Sequence, residues 1–126
     1  MEVVCLDTSV LIHYYRSKDK STTFFFKLAG QYQFVIPTIV EYEILRGDVK
    51  KDVFWQNLFT VIGVLAFDGN CVSEAVKIYL HLRSIGKLPG TDDILIGATA
   101  LANNLKLATL NVRHFQDMPG LQLLTP

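Results

Sequence analysis

The chain has 126 residues, enough for one domain that buries roughly two-thirds of its unfolded surface. Half of the residues are hydrophobic and 19% are charged, which excludes a disordered or low-complexity protein. Twelve basic and twelve acidic residues cancel, so bulk charge alone cannot hold nucleic acid.

Arg16, Lys18 and Lys20 form a small basic group that reads as a solvated loop. Cys5 and Cys71 have no partner at metal-ligand spacing and make no disulfide framework. Reduced thiols, no basic leader and no apolar run of bilayer length lead to the expectation of a cytoplasmic protein that does not meet a membrane.

In chain order, Val3 to Leu6 is a short β-branched, apolar run, predicting a strand buried on both faces. Asp7, Thr8 and Ser9 follow it, then helix-compatible sequence to about Arg16. An acid at the end of a buried strand needs compensation. Asp7 is therefore either the cap of that helix or the first ligand of a site. After the polar SKDKS, Ser21 or Thr22 is expected to cap a helix carrying Phe24, Phe25, Phe26 and Leu28, ending near Gly30. Phe34 to Ile36 predicts a strand closed by Pro37. Thr38 is expected to cap a helix reaching Gly47.

Lys50 to Thr60 reads as a helix with Phe54, Trp55, Leu58 and Phe59 at helical spacing. VIGVLAF predicts a third strand, although Gly63 weakens it. Asp68 and Asn70 begin a long helix that stops at Gly86. Thr91 is expected to cap the helix DDILIGATALANN. KLATL is the fourth strand, ending at Asn111, with a turn through Arg113, His114 and Phe115. LQLL is the fifth. Strands alternating with helices imply crossover connections and a mostly parallel sheet.

Two pairs of acids are separated by helical geometry. Glu43 lies one turn beyond Ile39 and Val40, on the stripe facing the core, whereas Glu41 points away. Asp93 lies one turn below Ile96 and Gly97, whose small neighbour Ala100 favours close helix approach. Asp92 lies on the side of Thr99 and Asn103, read as the polar side, where it suits the helix dipole. Asn111 ends its strand as Asp7 ends the first. If those strands are parallel, both reach one sheet edge, with Thr8, Ser9 and Thr109 lining it. Carboxylates, hydroxyls and an amide together suit a hard cation. A turn residue is the plain alternative for Asn111.

Asp7-Thr8-Ser9 after the first strand, EILRG at Glu43–Gly47, DILIGA at Asp93–Ala98, and TLNVRHF at Thr109–Phe115 followed by PGL together resemble the PIN-domain family. Within that family it resembles the VapC-like toxin ribonucleases. The resemblance spans nearly the whole chain. It implies a single PIN-like domain over residues 1–126, an α/β fold with a three-layer α/β/α sandwich around a mostly parallel sheet. It also implies a magnesium-dependent endoribonuclease, with manganese as the other candidate ion. Asp7, Glu43 and Asp93 would hold the metal and, with Asn111, form the catalytic set. Thr8, Ser9 and Thr109 would orient water or carboxylates. RNA as substrate, a cognate antitoxin as partner and a homodimer are implied too. Many members carry an acid at the position of Asn111 or a few residues later, where this chain has Asn111 and His114. One negative charge fewer weakens the case for a second metal ion. The rival readings are a PIN-like module that binds RNA or protein without cutting, and a phosphotransfer enzyme using Asp7. The chain lacks the D-x-D-x-T signature of one class of the latter.

Overall fold

Val4, Cys5 and Leu6 have no solvent exposure, and a strand so covered must lie inside a sheet. The structure, a computed structural model describing all 126 residues, places this strand, β1 (Glu2–Leu6), at the centre. β2 (Tyr32–Pro37) and β3 (Gly63–Leu65) lie on one side of it. β4 (Leu107–Ala108) and β5 (Leu123–Leu124) lie on the other. The order is β3-β2-β1-β4-β5, and every pairing is parallel.

Helices α1 (Thr8–Arg16), α2 (Phe24–Ala29), α3 (Thr38–Gly47), α4 (Val53–Val61), α5 (Gly69–Ser84), α6 (Thr91–Ala102) and α7 (Val112–Phe115) flank the sheet. The result is the α/β/α sandwich expected from the sequence. No helix is long and apolar enough to cross a membrane. Both cysteines are buried and free.

This strand order positions the site. The chain moves from β1 outward through β2 and β3, then returns to pair β4 against the other edge of β1. Parallel sheets open a crevice at the carboxyl ends of their strands where the order reverses. Leu6 pairs with Ala108 in register, so Asp7 and Thr109 leave the sheet side by side at that crevice.

Several helix starts differ from expectation. Thr23, not Ser21 or Thr22, caps α2, accepting the Phe26 N–H at 3.3 Å. The earlier hydroxyls are already used: Ser21 donates to the Asp19 carboxylate and Thr22 to the Asp19 carbonyl, within a 3-10 turn at Lys20–Thr22. Pro37 and Gly90 occupy the caps expected of Thr38 and Thr91, and neither helix has a side-chain cap. α4 starts at Val53 rather than Lys50, because Asp52 caps it through the Phe54 N–H at 2.9 Å. Asp68 does cap α5, accepting from Cys71 N–H at 3.0 Å. α5 ends before Gly86, whose φ of +69° suits a residue without Cβ. The turn after β4 is one turn of helix, α7.

The side of α6 that carries Thr99 is not a polar face. Thr99 is fully buried, and its hydroxyl donates to the Leu95 carbonyl of the same helix at 2.8 Å. Satisfied locally, it needs no water. The small residues do permit close approach: the Met118 sulfur fills the space a Cβ at Gly97 would take.

Candidate active site

Asp7 is 2% exposed and stands at the cap position of α1, yet its side chain makes no capping hydrogen bond. Its Oδ2 instead accepts from Ser9 Oγ at 2.7 Å and from Thr109 Oγ1 at 2.8 Å. Each hydroxyl also accepts a backbone N–H beyond β4: Leu110 to Ser9 at 3.1 Å, and Asn111 to Thr109 at 2.9 Å. These four bonds stitch the start of α1 to the end of β4, and they hold the carboxylate at a fixed angle. Oδ1 takes no hydrogen bond from the protein. Since no buried side-chain oxygen lacks a partner, Oδ1 is open to the crevice.

Glu43 enters from α3. Thr8 Oγ1 donates to its Oε1 at 2.6 Å, and Arg46, one turn on, brings Nη2 to 3.8 Å from Oε2. Asp93 enters from the first turn of α6, with His114 Nδ1 of α7 3.0 Å from its Oδ2. Burial pushes the Glu43 carboxyl above its usual range. The Thr8 hydrogen bond opposes that, and Asp92 and Asp7 reinforce it. Burial likewise raises Asp93. His114 pulls the other way, while Asp7 and Asp92 add to the rise. The two carboxylates therefore sense Asp7 and each lies in a field that disfavours its charge.

Asp92 belongs to this group too, contrary to the sequence reading. It faces α3, with Arg46 Nη1 3.8 Å from its Oδ2, and it raises the carboxyls of both Glu43 and Asp93. Arg46 thus spans Glu43 and Asp92. Its placement one turn from Glu43 was visible in the sequence; Asp92 facing α3 was not. Glu41 is half-buried and forms no ion pair. Asn111 is exposed at the start of α7 without a side-chain cap bond. Its backbone joins the Asp7 network and its amide side chain stays free.

The carboxylate donors are all oxygen, with Oδ1 of Asp7 unclaimed and two further carboxylates whose charged forms burial disfavours. That chemistry fits a hard divalent cation. No three His, Cys, Asp or Glu side chains converge tightly enough to enclose one as they stand. An ion there would have to draw Glu43 and Asp93 toward Asp7.

The profile of the PIN domain matches residues 4–121. The chain belongs to the PIN-domain family. Within it, the chain is similar to Ribonuclease VapC1 of Rickettsia felis, 31% identical over 130 residues, covering 95% of this chain and 93% of that protein. It is also similar to Ribonuclease VapC1 of Methanocaldococcus jannaschii, 28% identical over 117 residues, covering 91% of this chain and 80% of that protein. Among solved structures, VapBC-1 from nontypeable Haemophilus influenzae superposes with a TM-score of 0.86 at 22% identity, covering 98% of this chain and 97% of that one. VapBC2 from Rickettsia felis, bound to a DNA fragment from its promoter, gives 0.83 at 24% identity and 98% of each chain. These two show the shared fold.

Proposed function

We propose that this chain is a metal-dependent endoribonuclease, the toxin of a toxin–antitoxin pair. One observation carries the reading. Asp7 ends the central strand, its neighbour Thr8 holds Glu43 at 2.6 Å, and Asp93, from a distant helix, is near enough to feel the Asp7 charge, while burial disfavours the charge of both Glu43 and Asp93. Groups placed so are a stability burden unless a cation or a reaction uses them. The named activity of the VapC1 relatives supplies the substrate class, RNA.

Asp7, Glu43 and Asp93 would hold magnesium, or manganese in its place. When bound, such an ion makes a water-derived nucleophile available at neutral pH and offsets charge on phosphate oxygens. The protein's part is positional. Ser9 and Thr109 fix the Asp7 carboxylate, Thr8 fixes that of Glu43, and His114 steadies Asp93. The free amide of Asn111 is available to the phosphate or to water. Attack in line on the phosphodiester leaves a 5′-phosphate and a 3′-hydroxyl. The decisive experiment is cleavage of a defined RNA by clean protein with and without magnesium, beside Asp7→Asn. Equal cleavage by the variant rules this site out.

One similar solved structure is a member of the VapBC family of toxin–antitoxin systems and another is a toxin–antitoxin complex, which supports an antitoxin as partner; its tail is expected to cover the crevice. A homodimer is supported by the exposed apolar side chains Val72, Val76, Tyr79 and Leu80 along α5. Light scattering of the chain alone, then with the product of the neighbouring gene, tests both. A second reading, an RNA- or protein-binding module without turnover, is favoured by the lack of a ready-made metal cluster and by Asn111 and His114 standing where other members place an acid. RNA binding without products across a magnesium titration would select it.

A further inference from the structure

Two clefts adjoin the acidic centre, and their charges differ. The first, of about 520 Å³, runs beside Thr8 and Glu43. Its lining cations Arg16, Arg46 and Lys50 are matched by Glu43, Asp48 and Asp52. The second, of about 430 Å³, is lined by Lys87, Leu88, Pro89, Arg113 and His114, with no acid in its wall. Arg113 is exposed and enters no ion pair. Lys87 meets only Asp117, at 3.7 Å, with most of its side chain in water. An exposed pair of that length contributes little and yields readily to a stronger anion.

His114 joins this second cleft to the centre. It lines the cleft, and its Nδ1 lies 3.0 Å from Asp93 Oδ2. An anionic strand whose backbone is cut beside Asp93 therefore passes the cleft within the width of an imidazole ring. The need for such a cleft follows from charge. The chain is neutral overall, and Asp7, Glu43, Asp92 and Asp93 surround the centre, so a polyanion approaching it is repelled unless local cations attract it.

We infer that the cleft of Lys87 and Arg113 binds the backbone phosphate of the RNA strand next to the one being cut. This rests on the ribonuclease reading above. Arg113 offers the planar fork that matches phosphate oxygens, Lys87 adds a point charge, and Leu88 with Pro89 gives an apolar wall for the adjoining ribose or base. Phosphate contacts position a strand without reading its sequence, so the contribution is the same for every RNA.

The test compares the full chain with Lys87→Glu/Arg113→Glu, using a short single-stranded oligoribonucleotide and fluorescence anisotropy in EDTA, where neither metal nor turnover intervenes. Lys18→Glu/Lys27→Glu, two charge reversals at exposed positions outside the cleft, controls for net charge. Lys87→Gln/Arg113→Gln repeats the comparison with the smallest change of shape, and circular dichroism checks the fold of all. The expected result is affinity weakened about tenfold or more per lost contact. The slope of log affinity on log salt shrinks by about 0.7 per contact. With magnesium, KM rises more than kcat falls, alike on unrelated sequences. Wild-type binding and cleavage with both cleft variants matching it in affinity, salt slope and KM would overturn the cleft's role and leave the nuclease standing. A wild type that neither binds nor cuts RNA would overturn both.

Discussion

Asp7 and Glu43 face the same crevice but are held in different ways. Asp7 follows the central strand, and two hydroxyls clamp one of its oxygens while the sheet fixes its backbone. Glu43 hangs from a helix flank by one hydroxyl, with a half-exposed arginine 3.8 Å away and a carboxyl raised by burial and by Asp92. Asp93 resembles Glu43 in this respect. One carboxylate is clamped by two hydroxyls, and each of the other two has a single close partner. A cation that recruits them gains from relieving their repulsion, whereas binding to Asp7 alone offers no such gain.

Changing the clamped acid is expected to have the largest effect. Asp7→Asn keeps the shape and removes the charge, and magnesium-dependent RNA cleavage falls below detection in a gel assay. Thr109→Val comes next. It leaves Asp7 with a single hydroxyl and orphans the Asn111 N–H, so kcat is expected to drop about 10–100-fold, with a stability loss of about 1–3 kcal/mol in urea unfolding. Thr8→Val removes the one hydroxyl that holds the Glu43 carboxylate. Its effect is expected at the low end of that range, about 10-fold, and mainly as a higher magnesium requirement in titrations.

The smallest effect concerns stability. Because the folded state raises the Glu43 carboxyl, its contribution to stability is intact below the ordinary glutamate pKa and is lost as pH rises through the folded value. Without metal, Glu43→Gln is therefore expected to melt slightly higher than wild type at neutral pH, on the order of 2 °C, and alike near pH 4. Magnesium is expected to reverse the order by stabilising wild type alone. A variant that melts lower at neutral pH without metal would show that Glu43 is not strained and would collapse the contrast with Asp7.

Much of this was legible in the chain. A β-branched run ending in Asp-Thr-Ser marks a buried strand that delivers an acid to the sheet edge, and helical spacing separates Glu43 from Glu41. Asp93 is likewise assigned inward by its own helix. These are short-range consequences of backbone geometry, written within a few residues. The misplaced caps at Thr38 and Thr91 show the limit even there. An extended Pro37 or Gly90 ends the preceding segment one residue before the hydroxyl, so the hydroxyl falls inside the helix.

Tertiary structure alone decided the rest. Asp92 joins Glu43 because α3 and α6 pack side by side, and Thr99 is buried because α6 is covered on nearly all sides. Lys87 and Arg113 share a cleft although 25 residues separate them in number, since the loop before α6 folds back to α7. Periodicity records which way a side chain points from its own helix. What it points at depends on elements the chain brings in from elsewhere, and those encounters have no signature in local spacing.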